Sequence, residues 1–497
     1  LATQIRPQIV GEAALAVLTV LAPCTARNVH VLVHGGDDIG HRDLGGRARQ
    51  PIAAAGSAHA LHQTAPAQPR EELFEVGQGQ ALAARTGLTL ELRHILVRDP
   101  IKNRGVDLAA GVLTDDSERL FADSNTRIIV ELIGGIDLPE AFIRRALATG
   151  KDVVTANKAL LALRGEELFA VARQAGRCIA FEAAVAGGIP LIEALRRGLI
   201  ANEIDAVYGI LNGTCNYILT RMLEDRINYG NALADAQRLG FAEADPTLDV
   251  DGTDSAHKLA ILASLAMRRS CRFEKILVRG IRDLEMTDLL AGAELGYVCK
   301  LLAVAKHHDG GLDLCVQPTF IRKSHPLAGV SGPFNAVSVY GHAVGHTLYY
   351  GRGAGGMPTA SAIVADLVDV ALGNAGRTFS QFAVLPDQTP PADYRTPGEN
   401  ESPFYLRAAV KDRPGGMGMI ATLLGERDIS IASLVQHEPH GASVGGSVPI
   451  VATTRPTKDR TIQSAIVAIN NLDVVTGPVV CIPVLDEHVD SHDKGAT

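Results

Sequence analysis

From about residue 87 the chain alternates short β-prone apolar runs with longer helix-patterned stretches. This alternation constrains the fold more than any other feature. Leu90–Val97 and Arg127–Leu132 read as strands, and Pro139–Thr149 reads as a helix stopped by Gly150. Asp152–Thr155 follows as a strand, Ala159–Gln174 as a helix and Cys178–Ala184 as a strand. Strands joined by helices of this length call for a parallel, doubly wound sheet, so an α/β domain is expected over 87–188.

The texture then changes. Over 189–375 helices (Ala256–Ala266, Ala360–Leu372) mix with antiparallel-looking strands (Leu312–Phe320, Ala336–Tyr340), which predicts a second, α+β domain. Residues 376–402 carry Pro386, Pro390, Pro391 and Pro397 and read as a linker. Over 403–486 the order is strand, helix, strand, strand, helix, strand, the pattern of a ferredoxin-like βαββαβ module, with 487–497 as a tail. Residues 1–86 are atypical: Gly45–Gln80 is close to low complexity and lacks a sustained apolar period.

A length of 497 residues fits about three domains. The net charge of −8, the absence of any basic stripe and the lack of Trp speak against a nucleic-acid partner. Apolar runs such as Ala13–Ala22 are too short to span a bilayer, so no membrane partner is expected. Seven scattered cysteines without a CxxC pair argue against a disulfide framework or a zinc site and for a reducing, cytoplasmic setting.

Several local patterns carry potential chemistry, each with an ordinary structural alternative. Thr155-Ala156-Asn157-Lys158 follows a strand, where parallel sheets collect ligands, so Lys158 either meets a ligand or sits solvated in a turn. Five carboxylates, Glu243, Asp245, Asp249, Asp251 and Asp254, crowd ahead of an apolar helix containing Lys258. Asp254 and Lys258 are four apart and share one helix face. A lysine entering a buried helix needs partners, whether for catalysis or as a structural ion pair. Glu182 to Pro190 is a strand end opening into a glycine turn, able to hold a hard cation or simply to turn the chain. Gly351-Arg352-Gly353-Ala354-Gly355-Gly356 precedes a helix, as anion-binding loops and ordinary turns both do.

Taken together, residues of about 90–375 resemble homoserine dehydrogenases. The matching stretches are Ile128 to Gly135, Val154 to Leu161, Glu182 to Pro190, Gly209 to Ile218, Glu243 to Lys258 and Tyr350 to Ala360, in order. Residues 404–485 resemble that family's ACT domain, which binds amino acids. The resemblance implies a Rossmann-like NAD(P)-binding domain, an α+β substrate and dimerisation domain, and a C-terminal ferredoxin-like ACT domain. It also implies reduction of aspartate semialdehyde to homoserine with NADP or NAD, threonine as effector at the ACT domain, and a homodimer or homotetramer.

The same resemblance implies residue roles. Lys258 and Lys158 would flank the reacting carbonyl, with Asp254 and Asp249 as orienting partners and Glu243 holding the substrate amine. Gly213, Thr214 and Tyr217 would contact substrate. Ile133, Gly134, Gly135, Asn157, Lys158, Gly353 and Gly355 would contact cofactor, and Arg98 would meet an adenosine 2′-phosphate or remain solvated. Glu182, Val185, Gly187 and Ile189 would hold a monovalent cation (Na+ or K+), the last three through backbone oxygens. Hydride addition to an aldehyde leaves an alkoxide, and a nearby ammonium can stabilise it and protonate it.

The N-terminal stretch departs from the family. His30 to Gly40 is the nearest candidate for a glycine-rich phosphate loop, but Asp37 occupies the middle glycine of the fingerprint. A carboxylate there brings both a Cβ and a like charge towards a pyrophosphate. A second reading therefore stays open: a catalytically impaired, amino-acid-binding regulatory protein.

Overall fold

Ile128, Ile129 and Val130, followed by Val153 and Val154, are branched and almost wholly buried, as parallel strands covered on both faces must be. The computed structural model describes residues 14–21, 79–102, 108–436 and 446–485. The candidate phosphate loop around Asp37 lies outside the described residues. Contacts divide the chain into two units: residues 1–160, 168–184 and 355–381 form one, and 161–167, 185–354 and 382–497 the other.

In the first unit, β1 (Ala14–Leu21) pairs antiparallel with β2 (Thr89–Val97), and β3 (Leu113–Thr114) adds in parallel to β2. A separate parallel sheet runs β4 (Ile128–Glu131), β5 (Asp152–Thr155), β6 (Ile179–Ala180). The helix Asp137–Ala148 connects β4 to β5, and the helix Lys158–Gln174 connects β5 to β6. Both are crossovers of the expected α/β kind. Asn157 starts the second helix, its Oδ1 accepting the Leu160 amide at 3.1 Å.

One expected strand is corrected. Cys178–Ala184 was to be extended throughout, yet only Ile179–Ala180 pair, and Glu182–Ala184 form a 3-10 turn. The chain leaves the sheet there because the Glu182 amide donates to Asp366 Oδ2 at 2.9 Å instead of to a strand. Asp366 lies on the helix Gly356–Ala371, which with Asn374–Gln381 belongs to this first unit. Phe379 meets Phe169 edge-on at 6.1 Å.

The second unit is built on a six-stranded mixed sheet. Its strands are β7 (Ile204–Ile210), β8 (Leu277–Val278), β9 (Tyr297–His308), β10 (Gly311–Arg322), β11 (Phe334–Gly341) and β12 (Gly345–Arg352). Their order is β12-β11-β7-β9-β10-β8, antiparallel except for β10–β8. The helices Gly213–Glu224 and Thr253–Met267 pack on this sheet. The proline-rich stretch is strapped to it by backbone bonds: Ser270 N donates to Pro390 O, Leu312 N to Asp393 O and Arg395 N to Leu312 O. It continues into β13 (Glu401–Ser402).

The C-terminal module has β14 (Phe404–Lys411), β15 (Ile431–Gln436), β16 (Ser447–Thr454), β17 (Thr457–Lys458) and β18 (Val480–Pro483). The sheet order β15-β16-β14-β18 with helices Gly416–Gly425 and Asp459–Asn470 is the ferredoxin-like arrangement. Leu406, Ile420, Leu424, Ile450 and Ile462 centre its own core. Arg407 fastens the module to the helix Met286–Glu294: Nε and Nη2 donate to the two oxygens of fully buried Asp288 at 2.6 and 3.0 Å. The Tyr405 hydroxyl donates to the same carboxylate at 3.1 Å.

Among the described residues no single helix is long and apolar enough to cross a membrane.

Candidate active site

Two clusters of polar side chains stand out, one in each unit. In the first unit they gather at the carboxyl ends of β4 and β5. Glu131 is fully buried. Its Oε1 accepts the amides of Ile133 (2.7 Å) and Gly134 (3.4 Å), and its Oε2 accepts the Thr155 hydroxyl at 2.6 Å. Burial drives its carboxyl above the usual range, against the pull of these donors. Asn157 Nδ2 donates to Gly135 O at 2.9 Å, which ties the two strand-end turns together. Gly134 and Gly135 have φ of +76° and +77°, a conformation that excludes most side chains. Ile133, Gly134, Gly135, Asn157 and Lys158 therefore form one edge, with Lys158 opening its helix. Arg98 is exposed just past β2.

In the second unit the cluster lies where β7 meets two helix starts. Lys258 is buried, and its Nζ donates to Asp254 Oδ2 at 2.7 Å and to Leu211 O at 2.8 Å. Asn212 Nδ2 donates to Asp249 Oδ1 (2.7 Å) and Asp254 Oδ2 (2.9 Å), while its Oδ1 caps the helix Gly213–Glu224 by accepting the Cys215 amide at 2.8 Å. Asn335 Nδ2 also donates to Leu211 O at 2.8 Å. Gly213 is required here, since a Cβ would stand 2.8 Å from Pro333 O. Thr214 donates its hydroxyl to Phe241 O at 2.5 Å, and Tyr217 packs on the Phe241 ring at 4.9 Å. These contacts bring the acidic segment beside the helix start, with Glu243 exposed two residues on.

Gly353 and Gly355 fall in different units. Gly353 O accepts the Gly187 amide at 3.0 Å, and a Cβ at Gly353 would collide with the Asn335 amide group. Gly355, with φ of +112°, caps the helix Gly356–Ala371. In the Glu182–Ile189 turn, Ala186 has a left-handed φ of +49°, and Val185 and Ile189 are buried. Among the described residues no group of three or more metal-ligating side chains occurs, so a cation in this turn would depend on backbone carbonyls.

Sequence reasoning picked out Lys258, Asp254 and Asp249 but missed Asn212, which bonds both aspartates, Asn335, which shares Leu211 O with Lys258, and, in the cluster of the first unit, Glu131. Asn212 and Asn335 sit in ordinary-looking contexts, and Glu131 reads as one more strand residue. A lone carboxylate inside an otherwise apolar strand is the signal that flags Glu131.

Parallel α/β units take nucleotides at the carboxyl edge of their strands. A buried ammonium held by a carboxylate serves enzymes that move protons. The fold and its two clusters thus define a nucleotide-dependent enzyme. Comparison with known proteins gives the family. The homoserine dehydrogenase model matches residues 190–368, and that for the homoserine dehydrogenase NAD-binding domain matches residues 72–182. A homoserine dehydrogenase of Pseudomonas aeruginosa is 44% identical over 408 residues, covering 82% of this chain and 93% of that protein. One from Bacillus subtilis is 39% identical over 398 residues, covering 79% and 90%. A solved homoserine dehydrogenase from Thiobacillus denitrificans superposes with a TM-score of 0.78 at 40% identity, covering 85% of this chain and 96% of that one. One from S. aureus gives 0.65 at 32% identity, covering 85% and 97%. The chain belongs to the homoserine dehydrogenase family of oxidoreductases, and it carries that family's NAD-binding domain.

Proposed function

We propose that the chain catalyses the reversible reduction of L-aspartate 4-semialdehyde to L-homoserine, with NADP or NAD as the hydride carrier. The observation that carries this reading is the buried Lys258–Asp254 pair braced by Asn212 and Asp249. The reduced nicotinamide supplies the hydride to the aldehyde carbon. As the carbonyl oxygen gains the electron pair, the Lys258 ammonium stabilises it and gives up a proton to form the alcohol. Asp254 and Leu211 O aim that ammonium. Lys158 is assigned the opposite side of the same carbonyl. Glu243 takes the substrate ammonium, with Gly213, Thr214 and Tyr217 shaping the pocket around it. Ile133, Gly134, Gly135, Asn157, Gly353 and Gly355 receive the cofactor, and Arg98 its 2′-phosphate if NADP is used. Glu182 with the carbonyls of Val185, Gly187 and Ile189 would hold a monovalent cation.

The ferredoxin-like module is assigned as an ACT domain whose effector is threonine, in an even homo-oligomer, a dimer or tetramer. Its fixed attachment through Arg407 and Asp288 supports a regulatory connection. The reading of an impaired binding protein is not favoured, because the Lys258 network is complete and the relatives match both enzymatic domains. The test is oxidation of NADPH, and separately NADH, with aspartate semialdehyde, with and without threonine. Turnover that threonine lowers is expected. No turnover with either nucleotide, in a protein that still binds threonine, would overturn the catalytic reading.

A further inference from the structure

The parallel sheet of the first unit has a second end. Arg127, Asp152 and Arg177 stand at the amino ends of β4, β5 and β6. With four-residue strands, that is roughly 10 Å from the Glu131 turn. A cavity of about 380 Å³ opens there, between the strand starts and the helix Asn374–Gln381. Gly373 and Gly376 line its helix side, and a Cβ on Gly376 would meet nothing within 4 Å. Gly376 brings no side chain to the helix side of the hollow, and Gly373 stands just before the helix.

Arg127, Arg173 and Arg177 line the cavity, with Asp152 as the single acidic residue among its lining. That carboxylate is already committed. Its Oδ1 accepts the Cys178 amide at 2.9 Å, and Arg177 Nη1 stands 3.8 Å from its Oδ2. Burial raises the Asp152 pKa, against the pull of Arg177 and Arg127. Arg173 donates to Phe379 O and lies over the Phe379 ring at 4.7 Å, so its orientation is fixed by the helix. Arg177 Nε is buried without an acceptor among the described residues. A buried donor left without an acceptor is costly, so the side chain favours an added acceptor.

We propose that this cavity binds a small, multiply charged oxyanion, either a phosphate ester or a polycarboxylate, with the Arg177 guanidinium as an anchoring donor. Guanidinium forks suit both oxyanion classes. The cavity volume falls within the range of small-metabolite sites. Because it lies at the strand end opposite the Gly134 and Asn157 turns, the anion would bind without competing for the nucleotide edge.

Calorimetric titration of the full chain at constant ionic strength tests this, with inorganic pyrophosphate, citrate and NaCl as separate titrants. Saturable binding of pyrophosphate or citrate but not chloride is expected, and whichever of the two binds more tightly identifies the source class. Arg177→Gln and Gly376→Leu, the latter filling the cavity with all three arginines intact, should each weaken that binding at least tenfold. Should either variant fail to fold by circular dichroism, Arg127→Gln, an exposed change, replaces it. Absence of saturable binding by both anions, or binding that these variants leave unchanged, overturns the proposal.

Discussion

Lys258 and Asp254, one helical turn apart, form a buried ion pair with Nζ 2.7 Å from Oδ2. Exposed pairs of this spacing contribute only a few tenths of a kcal/mol. This one is enclosed, and Asn212 bonds to the same carboxylate oxygen, so its geometry is fixed before any substrate arrives.

Replacing Lys258 by Ala should lower turnover about 100-fold or more, the scale of a lost general acid. Steady-state rates read alongside a circular dichroism melt separate this from unfolding. A folded variant with unchanged turnover would remove Lys258 from the chemistry.

Glu131→Ala should destabilise the first unit by on the order of 3 kcal/mol, because it leaves the buried Ile133 amide and Thr155 hydroxyl, and the part-buried Gly134 amide, without their acceptor. Glu131→Gln should lose much less, since its amide can still accept from the backbone and donate to Thr155. Urea unfolding of both variants checks the ranking, and equal stabilities would contradict it.

The element readings that matched best were those set by local patterning. Asp152–Thr155 has bounds identical to the expectation, since apolar β-formers are bracketed there by turn residues. The Asp254–Lys258 spacing was likewise legible as a helix period. What could not be read was any partner distant in sequence. Asn212 reaches Asp254 across 42 positions, and nothing near residue 212 announces it. The early end of β6 has the same origin, because it depends on Asp366, 184 residues away.

Stability should depend on pH through Lys300. Burial pulls its pKa down to about 8 from an ordinary 10.5, while Nζ donates to Asn216 Oδ1 at 3.0 Å. Between about pH 8 and 10.5 the folded state binds fewer protons at this site than the unfolded state, so its contribution to stability rises with pH. Lys300→Met should remove that rise. Urea midpoints at about pH 7.5 and 9.5 compare the two proteins around the shifted group. Parallel pH responses in both would refute the assignment.

Arg407→Ala should cost about 3–5 kcal/mol, the range for stranding a buried charge, here Asp288. Under the proposed regulation it should also blunt inhibition by threonine. Denaturant titration and an inhibition curve measure the two effects, and full threonine sensitivity in the variant would show that the ion pair carries no signal.

The first unit is assembled from three separated stretches of chain, ending with 355–381. A ribosome must therefore make some 220 residues beyond Leu160 before Phe379 exists to close against Phe169, a delay of about 10–40 s at ordinary elongation rates. During that interval the apolar face awaiting the late helices stays uncovered. Nascent chains arrested before residue 374 should accordingly depend on chaperone holding, and those arrested well past 381 should not.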